Sequence, residues 1–118
     1  MSQYSTETLR YEETYNMEDE EIVKYVNLRS LQLTYNNTIS DEGLKKLTNL
    51  THLDLSYQSK ITDEGISSLI NLQELDVTCN TTITSNVLKK LPNLKCIYAK
   101  YDQPIFRQKG AYKICMRT

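Results

Sequence analysis

The chain has 118 residues, of which 39% are hydrophobic, and a formal net charge of −1. This length suits one small domain that can build a core without disulfides or metal ions. No apolar run reaches the roughly 18 residues of a membrane span, and a pI of about 5.8 argues against a dedicated nucleic-acid binder.

The N-terminal sequence and the cysteines both bear on the compartment in which the protein is expected to reside. The first residues, MSQYSTETLRYEETY, lack the basic and apolar segments of a secretory signal peptide. Three cysteines, Cys79, Cys96 and Cys115, cannot all pair within one chain. We therefore expect a cytoplasmic location and a reducing environment. We expect the cysteines to be small core or rim residues rather than nucleophiles.

Residues 6–27 form a degenerate first repeat. Their hydrophobic side chains fall 22 positions before hydrophobic residues of the following block and are predicted to enter the core: Leu9, Tyr11, Met17, Ile22 and Tyr25. Terminal repeats are expected to be atypical because one of their faces meets water. Four consecutive acidic residues at 18–21 favour the start of a helical segment there.

Residues 28–93 consist of three similar blocks of 22 residues: LRSLQLTYNNTISDEGLKKLTN, LTHLDLSYQSKITDEGISSLIN and LQELDVTCNTTITSNVLKKLPN. A fixed period of this length indicates a solenoid. Early in each block, leucines alternate with polar residues and predict a short strand. Later apolar residues recur at spacing three, which is typical of an α-helical or 3₁₀ segment. Ser40 or Asp41 is predicted to cap this segment, and Gly43 and Gly65 to permit close packing or a turn.

A partial repeat and a cap complete the chain. Residues 94–106 carry Leu94, Ile97, Ala99, Asp102 and Ile105 at repeat positions. Residues 107–118 are predicted to turn and to form a short strand at 111–116 that covers the open end of the core. Residues 1–118 are thus predicted to be a single domain of about five repeats.

The blocks follow the pattern L-x-x-L-x-L-x-x-N-x-x-I-x-x-x-G-L-x-x-L, as in Leu31, Leu33, Asn36, Ile39 and Gly43. This pattern resembles the leucine-rich repeat. The I-T-D-E-G-I wording of residues 61–66 is similar to the cysteine-containing, F-box-type subclass and to 22-residue repeats of bacterial, amoebal and large-virus proteins. The resemblance implies an α/β, right-handed solenoid with parallel strands on the concave face and helical or 3₁₀ segments on the convex face. It also implies a ladder of buried side chains, with Gln58 in place of asparagine in the second of the three 22-residue blocks and Asp102 in the partial repeat that follows them.

The outward strand positions supply the candidate partner-binding residues. Two groups stand out, an acidic patch with the only histidine at its edge and a row of tyrosines along one rim, interrupted by Cys79. The predicted concave-face set is Gln32, Tyr35, His52, Asp54, Tyr57, Glu74, Asp76, Tyr98 and Tyr101. Exposed tyrosines are typical interface anchors, although they can equally pack on the turn that follows each strand. The acidic patch can be a contact for Lys or Arg of a protein partner, a solvated polar face, or a metal or acid–base site.

These residues lead to three functional hypotheses. We favour a non-enzymatic protein-interaction module without cofactor, catalytic residue, metal or small-molecule substrate, because glycine-rich nucleotide loops and metal-ligand spacings are absent from the sequence. The second is an assembly subunit, because residues 1–27 carry −5 and residues 89–118 carry +7 and can attract head to tail. The third is an enzyme that uses His52.

Overall fold

The structure, a computed structural model, describes residues 3–58, 60–100, 102–107 and 113–116. In this part of the chain one parallel sheet contains six short strands in chain order. The strands are β1 (Thr8–Leu9), β2 (Ser30–Gln32), β3 (His52–Asp54), β4 (Glu74–Asp76), β5 (Cys96–Ala99) and β6 (Lys113–Met116). From β1 to β5, each residue pairs with the residue 22 positions later, as Leu31 pairs with Leu53. This register confirms the predicted solenoid.

Short helical segments connect the strands, and one more precedes β1. They are α1 (Tyr11–Thr14), α2 (Asp19–Ile22), α3 (Asp41–Leu44), α4 (Asp63–Ile66) and 3₁₀ helices at Gln3–Ser5, Ser85–Lys90 and Pro104–Arg107. Helices of four residues are too short to be stable alone. Tertiary packing holds them, since Ile22, Leu44 and Ile66 are each fully buried. No helix in the described segments is long and apolar enough to cross a bilayer.

The core lies between the sheet and the helical segments. Leu31, Leu53, Leu75 and Ile97 form one buried row beneath neighbouring strands, each at most 3% exposed. Further rows come from the residues after each strand and from the helical segments. Full burial of one such side chain contributes roughly 1.5–3 kcal/mol. The rows therefore hold successive repeats together.

The first repeat differs from its predicted alignment at Tyr11. We expected this side chain in the core, but it is 49% exposed and begins α1. The Glu13 carboxylate accepts a hydrogen bond from the Arg10 backbone N–H at 3.1 Å, and the Thr14 N–H bonds to the Arg10 carbonyl, which favours a helical turn here. Thr14 is fully buried instead, and its hydroxyl donates to the Gln32 carbonyl at 2.8 Å. The strand is therefore cut to two residues.

Buried amides connect the loops of successive repeats. The Asn36 side chain donates to the Thr14 carbonyl at 2.6 Å, and Asn80 donates to the Gln58 carbonyl at 2.8 Å. In the last repeat the Gln103 side chain makes the equivalent link, and its Nε2 donates to the Val77 carbonyl oxygen at 2.8 Å. The prediction of Asp102 was wrong, because its side chain is exposed and the longer amide of the next residue reaches inward.

Gln58 keeps only half of this ladder pattern. Its Oε1 accepts from the N–H groups of Lys60 and Ile61 at 3.0 and 2.8 Å, as the asparagines do in their loops. Its Nε2 is buried and has no hydrogen-bond partner. The substitution thus preserves the turn after β3 but breaks the link to the preceding repeat.

A second ladder runs along the helical side. Asp19 accepts from the backbone N–H of Ser40 at 2.8 Å and from its hydroxyl. Asp41 makes the same two bonds to Thr62, at 2.8 and 2.5 Å, and Asp63 makes them to Thr84. Ser40 occupies the N-cap position of α3, as predicted, but its hydroxyl does not cap its own helix, because it donates to the aspartate of the preceding repeat.

The last strand breaks the period. β6 pairs with β5 in parallel, and Ile114 lies beside Ile97, so the offset falls from 22 to 17 residues. The predicted strand at 111–116 is described only at 113–116, and residues 108–112 lie outside the described part. The division of the chain into repeats and cap at the predicted boundaries stays a prediction.

Candidate functional site

The outward positions of the strands form two parallel rows. Strand register places Gln32, Asp54, Asp76 and Tyr98 side by side in one row. The second row contains Ser30, His52, Glu74 and Cys96. Adjacent strands lie about 4.8 Å apart, so neighbours within a row can contact the same ligand group. All of these residues except Cys96 line a shallow depression of about 130 Å³ on the sheet surface.

His52, Glu74 and Tyr98 form a hydrogen-bonded group across three strands. The His52 Nε2 lies 3.1 Å from Glu74 Oε2, and the Tyr98 hydroxyl donates to Glu74 Oε1 at 3.4 Å. The hydrogen bond with Cys96, together with the nearby Glu74 charge, raises the pKa of Tyr98 to about 12. His52 and Glu74 are each more than 40% exposed, so their pair contributes at most about 1 kcal/mol. The group fixes side-chain positions more than it stabilises the fold.

Asp54 and Asp76 carry two oriented charges in the middle of the other row. Asp54 accepts from the Ser56 N–H at 2.8 Å and from its hydroxyl at 2.6 Å, and Asp76 accepts from the Thr78 N–H at 2.9 Å. These local bonds hold both carboxylates in place on neighbouring strands. Like charges in such positions repel each other, so a cation between them would relieve that repulsion.

Two tyrosines lie along the rim where the strands end. Tyr35 and Tyr57 have φ of 62° and 57°, in the left-handed region. Their rings stack at 5.1 Å with an interplanar angle of 22°, while the side chains stay 65% and 45% exposed. A left-handed conformation costs a residue with a Cβ roughly 1–2 kcal/mol. The stacked arrangement confirms the predicted row at these two positions, and Tyr101 lies outside the described residues.

Cys79 and Lys100 continue this rim. Cys79 has φ of 56°, matching the two tyrosines one and two repeats earlier. A hydrogen bond with Cys79 raises the pKa of the Tyr57 phenol, and another raises the pKa of the Lys100 ammonium. Lys100 was not in the predicted binding set, although its outward position after β5 was a sequence signal that could have included it. The rim thus contains aromatic rings and, next to Cys79, a cation.

The structure brings together most of the predicted residues on one surface. Gln32 differs from the others because it also makes a structural contact. Gln32 lies in the aspartate row, but its Oε1 accepts from the Tyr11 N–H at 3.3 Å, so it also ties β2 to the first repeat. Within the described residues, no group of three or more His, Cys, Asp or Glu side chains is placed to hold a metal ion. The surface offers hydrogen bonding, charge and ring contacts on an open sheet.

Family comparison agrees with this architecture. A family model described as "Leucine Rich repeat" matches residues 26–47, 46–70 and 68–91. The chain belongs to the leucine-rich repeat family. Three consecutive matches coincide with the repeats that carry β2, β3 and β4. This leucine-rich repeat protein therefore has a family assignment that rests on its central, most regular part.

Two solved structures are similar to this chain. An internalin, InlF, from Listeria monocytogenes has 26% identity and a TM-score of 0.56, with 67% of this chain and 24% of that chain covered. Internalin C2, InlC2, from the same organism has 17% identity and a TM-score of 0.47, with 81% and 54% covered. The leucine-rich repeat chain thus spans about a quarter and about half of these two proteins. Comparison with curated proteins finds no match.

Proposed function

We propose that this leucine-rich repeat protein is a non-enzymatic interaction module that binds a basic, extended segment of a protein partner on its concave face. Asp54 and Asp76 would receive Lys or Arg side chains of the partner, and Tyr35 and Tyr57 would pack against its chain. Leucine-rich repeat proteins commonly bind proteins, which supports the general class. The oriented carboxylates and the exposed rings support the basic partner.

The left-handed tyrosines are the observation that carries this proposal. Asn or Gly would adopt φ near +60° at a much lower cost. Tyr35 and Tyr57 occupy such positions although their side chains stay 65% and 45% exposed in the free protein. Strain of this kind at a surface is a pointer to function. Tyrosine rings are large, stiff and half polar, as interface anchors commonly are.

Charge reversal tests the acidic part of the surface. The double variant Asp54→Lys/Asp76→Lys should lose partners that the wild-type protein captures from cell extract, as measured by quantitative mass spectrometry. The matched control is Glu20→Lys/Glu64→Lys, which makes the same change in net charge at exposed positions of α2 and α4. Equal capture by both double variants would reject the concave face as the site.

A neutral variant separates charge from turn geometry. Asp54→Asn/Asp76→Asn keeps a side-chain oxygen that can accept the Ser56 and Thr78 N–H bonds. It should fold like the wild type and bind captured partners at least tenfold more weakly, because charged interface pairs contribute more than neutral hydrogen bonds. Full affinity in this variant would remove the basic partner from the proposal.

The tyrosine rim has its own test. Tyr57→Asn should leave the free energy of unfolding unchanged or raise it by up to about 1 kcal/mol, since Asn tolerates the left-handed region. It should weaken partner binding by roughly tenfold or more if Tyr57 is an anchor. Tyr15→Asn, at a 64% exposed tyrosine after α1, is the control and should change neither quantity.

An assembly role is the second candidate, and the arrangement of charge favours it. Residues 1–27 contain seven acidic and two basic residues, whereas residues 89–118 contain one acidic and eight basic residues. The sheet order places β1 and β6 at opposite edges, so this charge difference runs along the solenoid. Light scattering at low and high salt tests it, because head-to-tail association should appear at low salt and vanish at high salt. A monomer under both conditions rejects it.

A further inference from the structure

We propose that Cys96 and Cys115 are a redox-sensitive thiol pair that closes to an intramolecular disulfide and fastens the last strand to the sheet. The Sγ atoms of the two residues lie 3.3 Å apart. Cys96 is on β5 and Cys115 is on the neighbouring β6. This inference does not depend on the proposed partner binding.

The strand register explains how the thiols meet. Cys115 pairs with Tyr98, and Cys96 pairs with Lys113, so the cysteines are diagonal neighbours on one face of the sheet. Both side chains are half-buried. A disulfide has an S–S distance of about 2.05 Å, so closure needs a movement of roughly 1.3 Å. Among the described strands, β6 lies at the edge of the sheet and pairs with β5, so its movement would not disturb a second neighbouring strand.

The third cysteine lies in a different place. Cys79 is at the rim after β4, where its interaction with the Tyr57 and Lys100 side chains raises the pKa of both groups. The structure therefore divides three cysteines into one pair and one separate thiol. The sequence alone could not do so, because Cys96 and Cys115 are 19 residues apart and off the 22-residue period.

The oxidant in this reaction is a low-molecular-weight disulfide such as oxidised glutathione. One protein thiolate attacks a sulfur of the reagent, forms a mixed disulfide and releases one reagent thiolate. The second protein thiolate then attacks the protein sulfur and releases the other reagent thiolate. Two protein S–H bonds are lost, one protein S–S bond forms, the reagent disulfide is reduced to two thiols, and the protons pass to water.

Proximity should make the second step faster than any competing one. A neighbouring thiol fixed at van der Waals distance has a far higher effective concentration than free glutathione. Burial and the hydrogen bond with Cys115 raise the pKa of the Cys96 thiol, so exchange should speed up in mildly alkaline buffer. The closed form would tie β6, at the basic end of the chain, to the surface that carries Tyr98.

The test is a titration of the full chain with mixtures of reduced and oxidised glutathione at about pH 8, followed by acid quenching and intact-mass measurement. We expect a species that has lost two hydrogens and carries no glutathione on Cys96 or Cys115. Trypsin without reduction then locates the link, because cleavage after Lys95 and Lys113 releases Cys96–Lys100 and Ile114–Arg117 as separate peptides. Recovery of these two peptides as one disulfide-linked species supports the proposal.

Cysteine variants complete the test, and no single variant has to fold normally for the result to be read. In a Cys79→Ser background the linked species should persist, and its melting temperature should fall by several degrees on reduction. Adding Cys115→Ser should convert Cys96 to a glutathione adduct and abolish the reduction-dependent shift. Links that involve Cys79, two glutathione adducts, or two thiols that stay free in fully oxidised buffer would each overturn the proposal.

Discussion

On the helical side of the solenoid, two junctions between repeats have an aspartate at the same repeat position but different residues packed against it. Between α3 and α4, Asp41 lies against Gly65, where a Cβ would be 2.3 Å from the Asp41 Oδ1. One repeat later, Asp63 faces a segment that has Val87 at the equivalent position, and that segment, Ser85–Lys90, is a 3₁₀ helix. The comparison shows that glycine marks close approach of a neighbouring carboxylate, not a turn, since no glycine among the described residues has positive φ.

The second junction keeps the hydrogen bonds without the glycine. The Thr84 N–H still donates to Asp63 at 2.8 Å, and its hydroxyl donates to the same carboxylate. The Thr84 hydroxyl also accepts from the Asn86 N–H at 3.2 Å, a cap that Ser40 and Thr62 lack. A 3₁₀ segment is narrower and longer per residue than an α-helix, so it moves Val87 relative to the aspartate. Val87 is then 1% exposed and adds apolar burial.

The largest expected effect comes from adding a methyl group at the first junction. Alanine normally stabilises a helix relative to glycine by up to about 1 kcal/mol. Gly65→Ala should instead lower the free energy of unfolding by about 3 kcal/mol, because the Cβ overlaps the Asp41 carboxylate. Urea denaturation followed by circular dichroism measures the change.

A double-mutant cycle isolates the cause of that loss. With Asp41→Ala already present, Gly65→Ala should cost only about 1 kcal/mol, because the Asp41 Cα, 3.1 Å from the new Cβ, remains as the tight contact, which gives a coupling energy of about 2 kcal/mol. A full loss in the Asp41→Ala background would show that the glycine serves some contact other than this carboxylate.

Val87→Gly gives the reverse comparison at the second junction. The substitution removes a buried side chain and adds backbone freedom in the unfolded state, so it should destabilise the protein by about 2 kcal/mol. Gly43→Ala provides the contrast, since there the change adds atoms against Asp19. Stabilisation by Val87→Gly would mean that the valine strains the junction.

Loss of one aspartate should have a smaller effect. Asp41→Ala removes the acceptor of the Thr62 N–H and hydroxyl bonds and should cost about 1.5 kcal/mol at this partly exposed site. Asp19→Ala and Asp63→Ala should cost similar amounts because all three aspartates make the same pair of bonds. A chemical denaturation series of the three variants checks the equality, and a cost confined to one of them would break the ladder interpretation.

The smallest expected effect distinguishes the two hydroxyls. Thr62→Val should cost about 1 kcal/mol through the lost bond to Asp41. Thr84→Val should cost roughly 0.5 kcal/mol more, because Thr84 also caps the Asn86 N–H. Thermal melting of both variants under one buffer condition provides the measurement. Equal losses would show that the cap contributes nothing to stability.

Sequence reasoning reached the fold because leucine periodicity is a local property. Leu31, Leu53 and Leu75 identified the buried rows and, through alternation, the outward positions of Asp54 and Asp76. It failed for Tyr11, where a local helical turn overrode the alignment. It also chose Asp102 over Gln103, because a repeat offset does not record how far a side chain reaches.

The contacts between repeats needed the folded chain. Tyr35 and Tyr57 were predicted to stack, but their left-handed backbone depends on how each strand leaves the sheet. The Asp41–Gly65 contact joins residues 24 positions apart, two positions more than the repeat, and the repeat by itself does not pair them. The contact between the Cys96 and Cys115 thiols depends on β6, which pairs with β5 at an offset of 17 residues and so does not follow the 22-residue period.

The sequence by itself determined the repeat, its core and the side chains that face outward, because burial of leucine at a fixed spacing has one efficient solution. The tertiary structure decided which residues of neighbouring repeats contact each other. Those contacts depend on backbone rise, side-chain length and strand register at distances of a few ångströms. The aspartate that requires Gly65, the strained tyrosines of the rim and the thiol pair at the last strand all belong to this second class.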